Sequence, residues 1–172
     1  MNAATRRSTI LEIIKKSSDP ISATVLAKRF DVSRQVIVGD IALLRAQGHE
    51  ITATARGYLL PRSPDALPYT AIIPCIHTPE NTRAELYTMV NMGAFVDNVI
   101  VEHHIYGEII GQLNLKNTED VDAFMARVDS LETKLLSELT DGIHIHTISC
   151  VDVNHYNRVC ETLDKLGYLY KD

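Results

Sequence analysis

Apolar residues in the first sixty positions recur at helical intervals rather than alternating. Ile10, Leu11, Ile13 and Ile14 form one stripe, which "SSDP" ends. "PISATVLAKRF" predicts a second helix from about Ser22, with Val25, Leu26 and Phe30 turned inward. A short "DVS" turn follows, and Ser33 is placed to cap a third helix running to about Gln47. Within it Ile37, Ile41 and Leu44 fall at i, i+4 and i+7, one helical face, with Gly48 as the candidate stop. "HEITATARGYLLP" then reads as two short strands around a turn near Ala55–Gly57.

The pattern breaks at "LPRSPDALP", residues 60–68, where three prolines in nine positions predict a linker. The expected bounds are a first domain over 1–61, a linker over 62–69 and a second domain over 70–172. "YTAIIPCIH" predicts a strand, and "TPENTRAELYTMVNMG" a helix with Thr78 as N-cap and Pro79 in its first position. "AFVDNVIVEHHIYGEIIGQLNL" predicts two strands turning near Tyr106–Gly107. "TEDVDAFMARVDSLETKLL" predicts a helix with Val121, Phe124, Met125 and Val128 as its stripe. "GIHIHTISC" is a strand and "DVNHYNRVCETLDKLGYL" a last helix. The order β-α-β-β-α-β-α implies an α+β domain, a mainly antiparallel sheet with helices on one face.

Charge sharpens this division. The net charge of −5 conceals a first segment, residues 1–62, at +5 and a remainder at −10. A basic module joined to an acidic one fits a polyanion-binding unit attached to something that avoids nucleic acid. No apolar run is long enough to span a membrane, and the N-terminus "MNAATRRSTILEIIKK" lacks signal-peptide character. Three cysteines far apart argue against a disulfide framework and for a reducing cytoplasm.

Two helices around "DVS", followed by a β-hairpin, predict a winged helix-turn-helix whose second helix enters the major groove of operator DNA. Arg34 and Gln35 then lie at base edges, with Val38 further along the outer face, and Ser33 can donate to the DNA backbone; Arg suits guanine and Gln adenine. Lys28, Arg29, Arg45 and the wing's Arg56 are placed for phosphates. The run "LAKRFDVSRQVIVGDIALLRAQGHEITATARGY" resembles the winged-helix domain of many bacterial regulators, including the DNA-binding part of the bifunctional biotin ligase repressors.

In the second domain His144 and His146 share a strand face without further assumption. Two imidazoles need further donors to hold a zinc- or nickel-type ion. His77 ends the first strand and Glu85 lies eight positions on, a spacing that suggests a shared site without proving it. Cys75 and Cys150 lie on the corresponding strand faces and read as packing residues. His155 reads as a structural histidine.

Residues 70–172 resemble the 3H domain through "IHTPENTRAELYTM", "NVIVEHHIYGEIIGQL" and "DGIHIHTI". The resemblance implies a nicotinic-acid-responsive, homodimeric repressor of NAD biosynthesis and niacin uptake genes. It also implies one divalent metal per chain, nickel or zinc, on His77, Glu85, His144 and His146. His104 stands where that family more often has proline. Nicotinic acid is expected beside the metal as co-repressor, with Arg83, His103, Tyr106 or backbone N–H groups near Thr78–Glu80 as its contacts. No catalytic residue is expected. The alternatives are a regulator that senses the metal itself, and a metal-dependent hydrolase with a DNA-binding appendage. A biotin-ligase activity is excluded by the short second domain and the lack of a Gly/Arg-rich adenylate loop.

Overall fold

A computed structural model describes residues 2–61 and 67–172, in two units that divide between Ser63 and Pro64. Most of the expected linker lies outside the described residues. No helix among the described residues is long and apolar enough to cross a membrane.

The first unit contains α1 (Ala3–Lys16), α2 (Ala23–Phe30), α3 (Arg34–Ala46) and the antiparallel hairpin β1 (Thr52–Thr54) and β2 (Gly57–Leu59). Ile10, Ile14, Leu26, Ile37, Ile41, Leu44 and Ile51 form its core. Val25, expected inside, is 57% exposed; it lies on the outer side of α2, next to the buried Leu26. The turn between α2 and α3 is set by Asp31 in the left-handed region, where Val32 N–H returns to the Ala27 carbonyl. Ser33 caps α3 by accepting from Val36 N–H, and Gly48 at φ +93° ends it. The wing is pinned where Ile21 bridges Tyr58. Gly57 is required there, since a Cβ would lie 2.4 Å from the Ile21 carbonyl carbon. Buried Asp40 on α3 is gripped by Arg6 through two bonds, 2.6 and 3.3 Å, with Arg7 at 3.6 Å.

The second unit contains β3 (Tyr69–Ile76), α4 (Thr82–Asn91), β4 (Phe95–His103), β5 (Gly107–Leu115), α5 (Thr118–Leu131), β6 (Ile143–Cys150) and α6 (Val153–Lys165). Its four strands pair antiparallel in the order β3-β6-β4-β5. The outer edge of β3 is covered by the tail, with Ile76 N–H bonded to the Tyr168 carbonyl and Tyr170 N–H to that of Pro74. Ile73, Val96, Val101, Leu113, Leu115 and Ile148 on the sheet meet Leu86, Met89, Val121, Met125, Val159 and Leu163 from the helices.

Two local features differ from expectation. Pro79–Asn81 forms a 3-10 turn, Thr78 makes no side-chain cap bond, and α4 starts only at Thr82. A second 3-10 turn, Leu136–Thr140, precedes β6. His155 is structural as expected: it bonds the Met92 carbonyl through Nε2 and accepts from Val151 N–H at Nδ1.

Candidate metal centre and nucleic-acid interface

On α3, Ile37, Asp40, Ile41 and Leu44 face the core, which turns Arg34, Gln35, Val36, Val38 and Gly39 outward. Arg34 and Gln35 head the helix, where forked donors and an amide can reach base edges. Val36 and Val38 are 38% and 40% exposed, apolar groups suited to a thymine methyl. Val36 was not singled out by the sequence pattern, although its place beside buried Ile37 marks it as outward. Ser33 spends its hydroxyl oxygen on the cap and keeps a proton to donate. Lys28 and Arg45 are exposed at either side of this face. Arg56 is half-buried and already has a partner, a weaker phosphate contact than its place in the wing suggested.

In the second unit β6 brings His144 and His146 to the inner face of the sheet, opposite Cys75 and Ile73 of β3 and, for His146, Val99 of β4. Glu85 descends from α4 onto them. Its Oε1 lies 2.9 Å from His144 Nε2 and 3.4 Å from His146 Nε2, and its Oε2 lies 2.6 Å from His77 Nε2. The four side chains are 1–3% exposed. The ring pairs His77–His144 and His144–His146 stand edge to face at 4.8 and 4.9 Å.

Each imidazole is oriented from behind by a main-chain carbonyl at 2.8 Å. His77 Nδ1 bonds that of Thr78, His144 Nδ1 that of Gly142, and His146 Nδ1 that of Asn98. A carbonyl only accepts, so all three rings carry their proton on Nδ1 and turn an Nε2 lone pair toward Glu85. Every Nε2–carboxylate contact then needs a cation between its atoms, either a proton on each ring or one shared metal ion. Protons leave the set incomplete, because His146 Nε2 is buried with no hydrogen-bond partner. Three imidazole nitrogens, each ring held by its own backbone bond, and one carboxylate fit a borderline divalent ion such as zinc or nickel.

The electrostatics agree with a cation-seeking cluster. Burial pushes the Glu85 pKa up, but the nearby His146 charge and the bonds from His144 and His77 outweigh it and hold the carboxyl well below its usual range. Burial opposes the His77 imidazolium, yet Glu85 overcomes it and raises the His77 pKa. Cys75 comes closer than a packing residue need: its sulfur, a Glu85 oxygen and a His144 nitrogen all lie within 4.8 Å of one another. Burial and the negative charge of Glu85 push that thiol far up, so it lines the cluster as a neutral group. Burial likewise pushes Cys150 up, to about 11.

Gly142 matters twice here. Its carbonyl orients His144, and at φ +92° it packs on His77 so closely that a Cβ would lie 2.4 Å from the His77 carbonyl oxygen.

The residues expected to contact an effector do not converge as these four side chains do. Arg83 leaves its helix toward Asp122 of α5, and its guanidinium is engaged by Asp122 and by Tyr87 one turn along α4. Two positions along a helix turn a side chain about 200° from Glu85, so Arg83 is corrected from a site residue to an interhelix tie. His103 and Tyr106 sit at the β4–β5 turn, their rings 5.1 Å apart, with His103 Nδ1 accepting from the N–H groups of Ile105 and Tyr106.

A family model described as the 3H domain matches residues 70–172, and one described as an HTH domain matches residues 6–59. "Transcription repressor NadR" of Bacillus subtilis (strain 168) is 37% identical over 171 residues, 98% of this chain and 95% of the relative. "Probable transcription repressor NiaR" of Thermotoga maritima is 37% identical over 167 residues, 97% of this chain and 94% of the relative.

Proposed function

This chain belongs to the family of transcription repressors that join a helix-turn-helix domain to a 3H domain, and we propose that it represses genes of NAD biosynthesis and niacin uptake with nicotinic acid as co-repressor. In this reading a nickel or zinc ion sits on His77, Glu85, His144 and His146, and nicotinic acid binds beside it. The observation that carries the metal is the convergence of three backbone-oriented Nε2 atoms on one buried carboxylate. Four protein donors leave positions open at a six-coordinate ion for an exogenous group. With Arg83 committed elsewhere, Thr82 is the better donor to the effector carboxylate. It is buried one helical turn before Glu85, and its hydroxyl lacks a hydrogen-bond partner.

The acting species is a homodimer, so that two recognition helices meet two half-sites. Dimerisation is assigned to the second unit. The sheet face opposite its helices carries Ile72, Ile110 and Ile143 exposed, with Ile100 and Ile145 half-buried between them. No chemical step is required: the set of residues serves binding, and the relatives are repressors. The protein acts in the cytoplasm, where thiols stay reduced.

Selection from a random duplex library by metal-loaded protein supplies the operator. Its affinity is then measured with nicotinic acid, with nicotinamide and with neither. Tighter binding with nicotinic acid alone is the expected result, because only a ligand that prefers the DNA-competent state can shift it. Affinity indifferent to nicotinic acid overturns the co-repressor.

A further inference from the structure

His146 owes its direction to an irregularity in the neighbouring strand. Along β4 Val96 pairs with Ile148 and Asn98 with Thr147, so β4 advances two residues while β6 advances one. This is a β-bulge at Asp97–Asn98. On the other side the register with β5 shifts over the same residues, and Asn114 takes a left-handed φ of +53°. Within the bulge the two carbonyl oxygens of Asn98 have different tasks. Its main-chain oxygen accepts from His146 Nδ1 at 2.8 Å, and its side-chain Oδ1 accepts from Thr147 N–H at 3.1 Å.

We propose that Asn98 is the positioning residue of the metal centre. Its side chain takes over a strand-pairing bond so that its backbone carbonyl is available to fix the tautomer and aim of His146. This rests on the reading of the cluster as a metal centre and adds a residue to it. The physical case is one of substitution. An N–H of a paired strand must find an acceptor. Without Oδ1, Thr147 N–H competes for the Asn98 main-chain oxygen. His146 Nδ1 then loses its acceptor, and the ring is free to place its proton on Nε2, where it blocks a ligand bond. A second side-chain bond in the bulge, Ser149 Oγ to Asp97 Oδ2 at 2.9 Å, touches no ligand and serves as the control.

The test compares full-length wild type with Asn98→Ala, Asn98→Asp and Ser149→Ala. Zinc and cobalt affinity are measured by chelator competition, and the zinc-loaded wild type by histidine ring 15N NMR. Asn98→Ala is expected to lose about ten- to a hundredfold in metal affinity, the usual effect of removing a partner behind a ligand. Asp keeps the acceptor, so Asn98→Asp and Ser149→Ala are expected to stay within about threefold of wild type. The spectrum is expected to show His146 bound through Nε2 with a proton on Nδ1. Wild-type affinity in a folded Asn98→Ala overturns the proposal, as does an equal loss in Ser149→Ala. If Asn98→Ala does not fold, the wild-type spectrum decides, since ligation through Nδ1 overturns the proposal by itself. A wild type that takes up no metal overturns the metal centre, a separate result from either of these.

Discussion

Glu85 is one anion facing three imidazoles, and that imbalance gives the metal-free and metal-loaded proteins opposite responses to pH. Its lowered pKa contributes stability above the ordinary carboxylate range, lost as pH falls through the folded value. The raised His77 pKa contributes stability below the ordinary histidine range, lost as pH rises through the folded value. Metal-free protein is therefore most stable between those two ranges. Metal-loaded protein gains as pH rises through the histidine range, because protons stop competing for Nε2. Calorimetric Tm values from mildly acidic to mildly basic pH should show the gap between the two forms widening. His144→Ala should lose stoichiometric metal, read by mass spectrometry of the purified protein, while operator recognition residues stay intact. At this scale the sequence disclosed the shared face of His144 and His146 through strand alternation alone. His77 and Glu85 came through family resemblance, since no spacing rule folds a strand end and a helix onto a distant strand. The helical period did contain the answer for Arg83, two positions and a little over half a turn away from Glu85.

The recognition helix and the turn before β6 are the elements on which function depends most. Arg34→Ala and Gln35→Ala should each cost about 1–3 kcal/mol of operator affinity and relax the preference at one base pair, read by binding to a panel of single-base operator variants. Arg45→Ala should weaken all duplexes alike and flatten the salt dependence. Gly142→Ala combines a left-handed φ with a clash against the His77 carbonyl. It should lower Tm and metal uptake together, a pairing that distinguishes it from a surface-loop change. Helices with side-chain caps were legible: Ser33 at the start of α3 and Gly48 at its end are both where the residues predict them. Val25 was misplaced because α2 is only eight residues long, too short for an apolar stripe to define its own centre. The β4 bulge was not legible: "FVDNVI" sets apolar and polar residues in pairs rather than alternating, but the partners that define the bulge, Thr147 and His146, lie across the sheet.

Across the whole chain, the charge split agrees with nucleic-acid binding by the first unit, where the HTH domain model matches, and disfavours it at the acidic second unit. Ile110→Lys, on the edge strand β5 of the uncovered sheet face, should shift sedimentation toward monomer and weaken operator binding while leaving metal content unchanged. The near-complete burial of the four proposed ligands bears on time as well as affinity. An ion enclosed by a helix, three strands and their turns leaves only when those elements part, so its residence follows the opening rate of the fold. Isotopically labelled zinc should exchange over hours rather than seconds. An ion held that long would be a built-in part of the repressor rather than its messenger, which favours the proposed nicotinic acid as the changing signal.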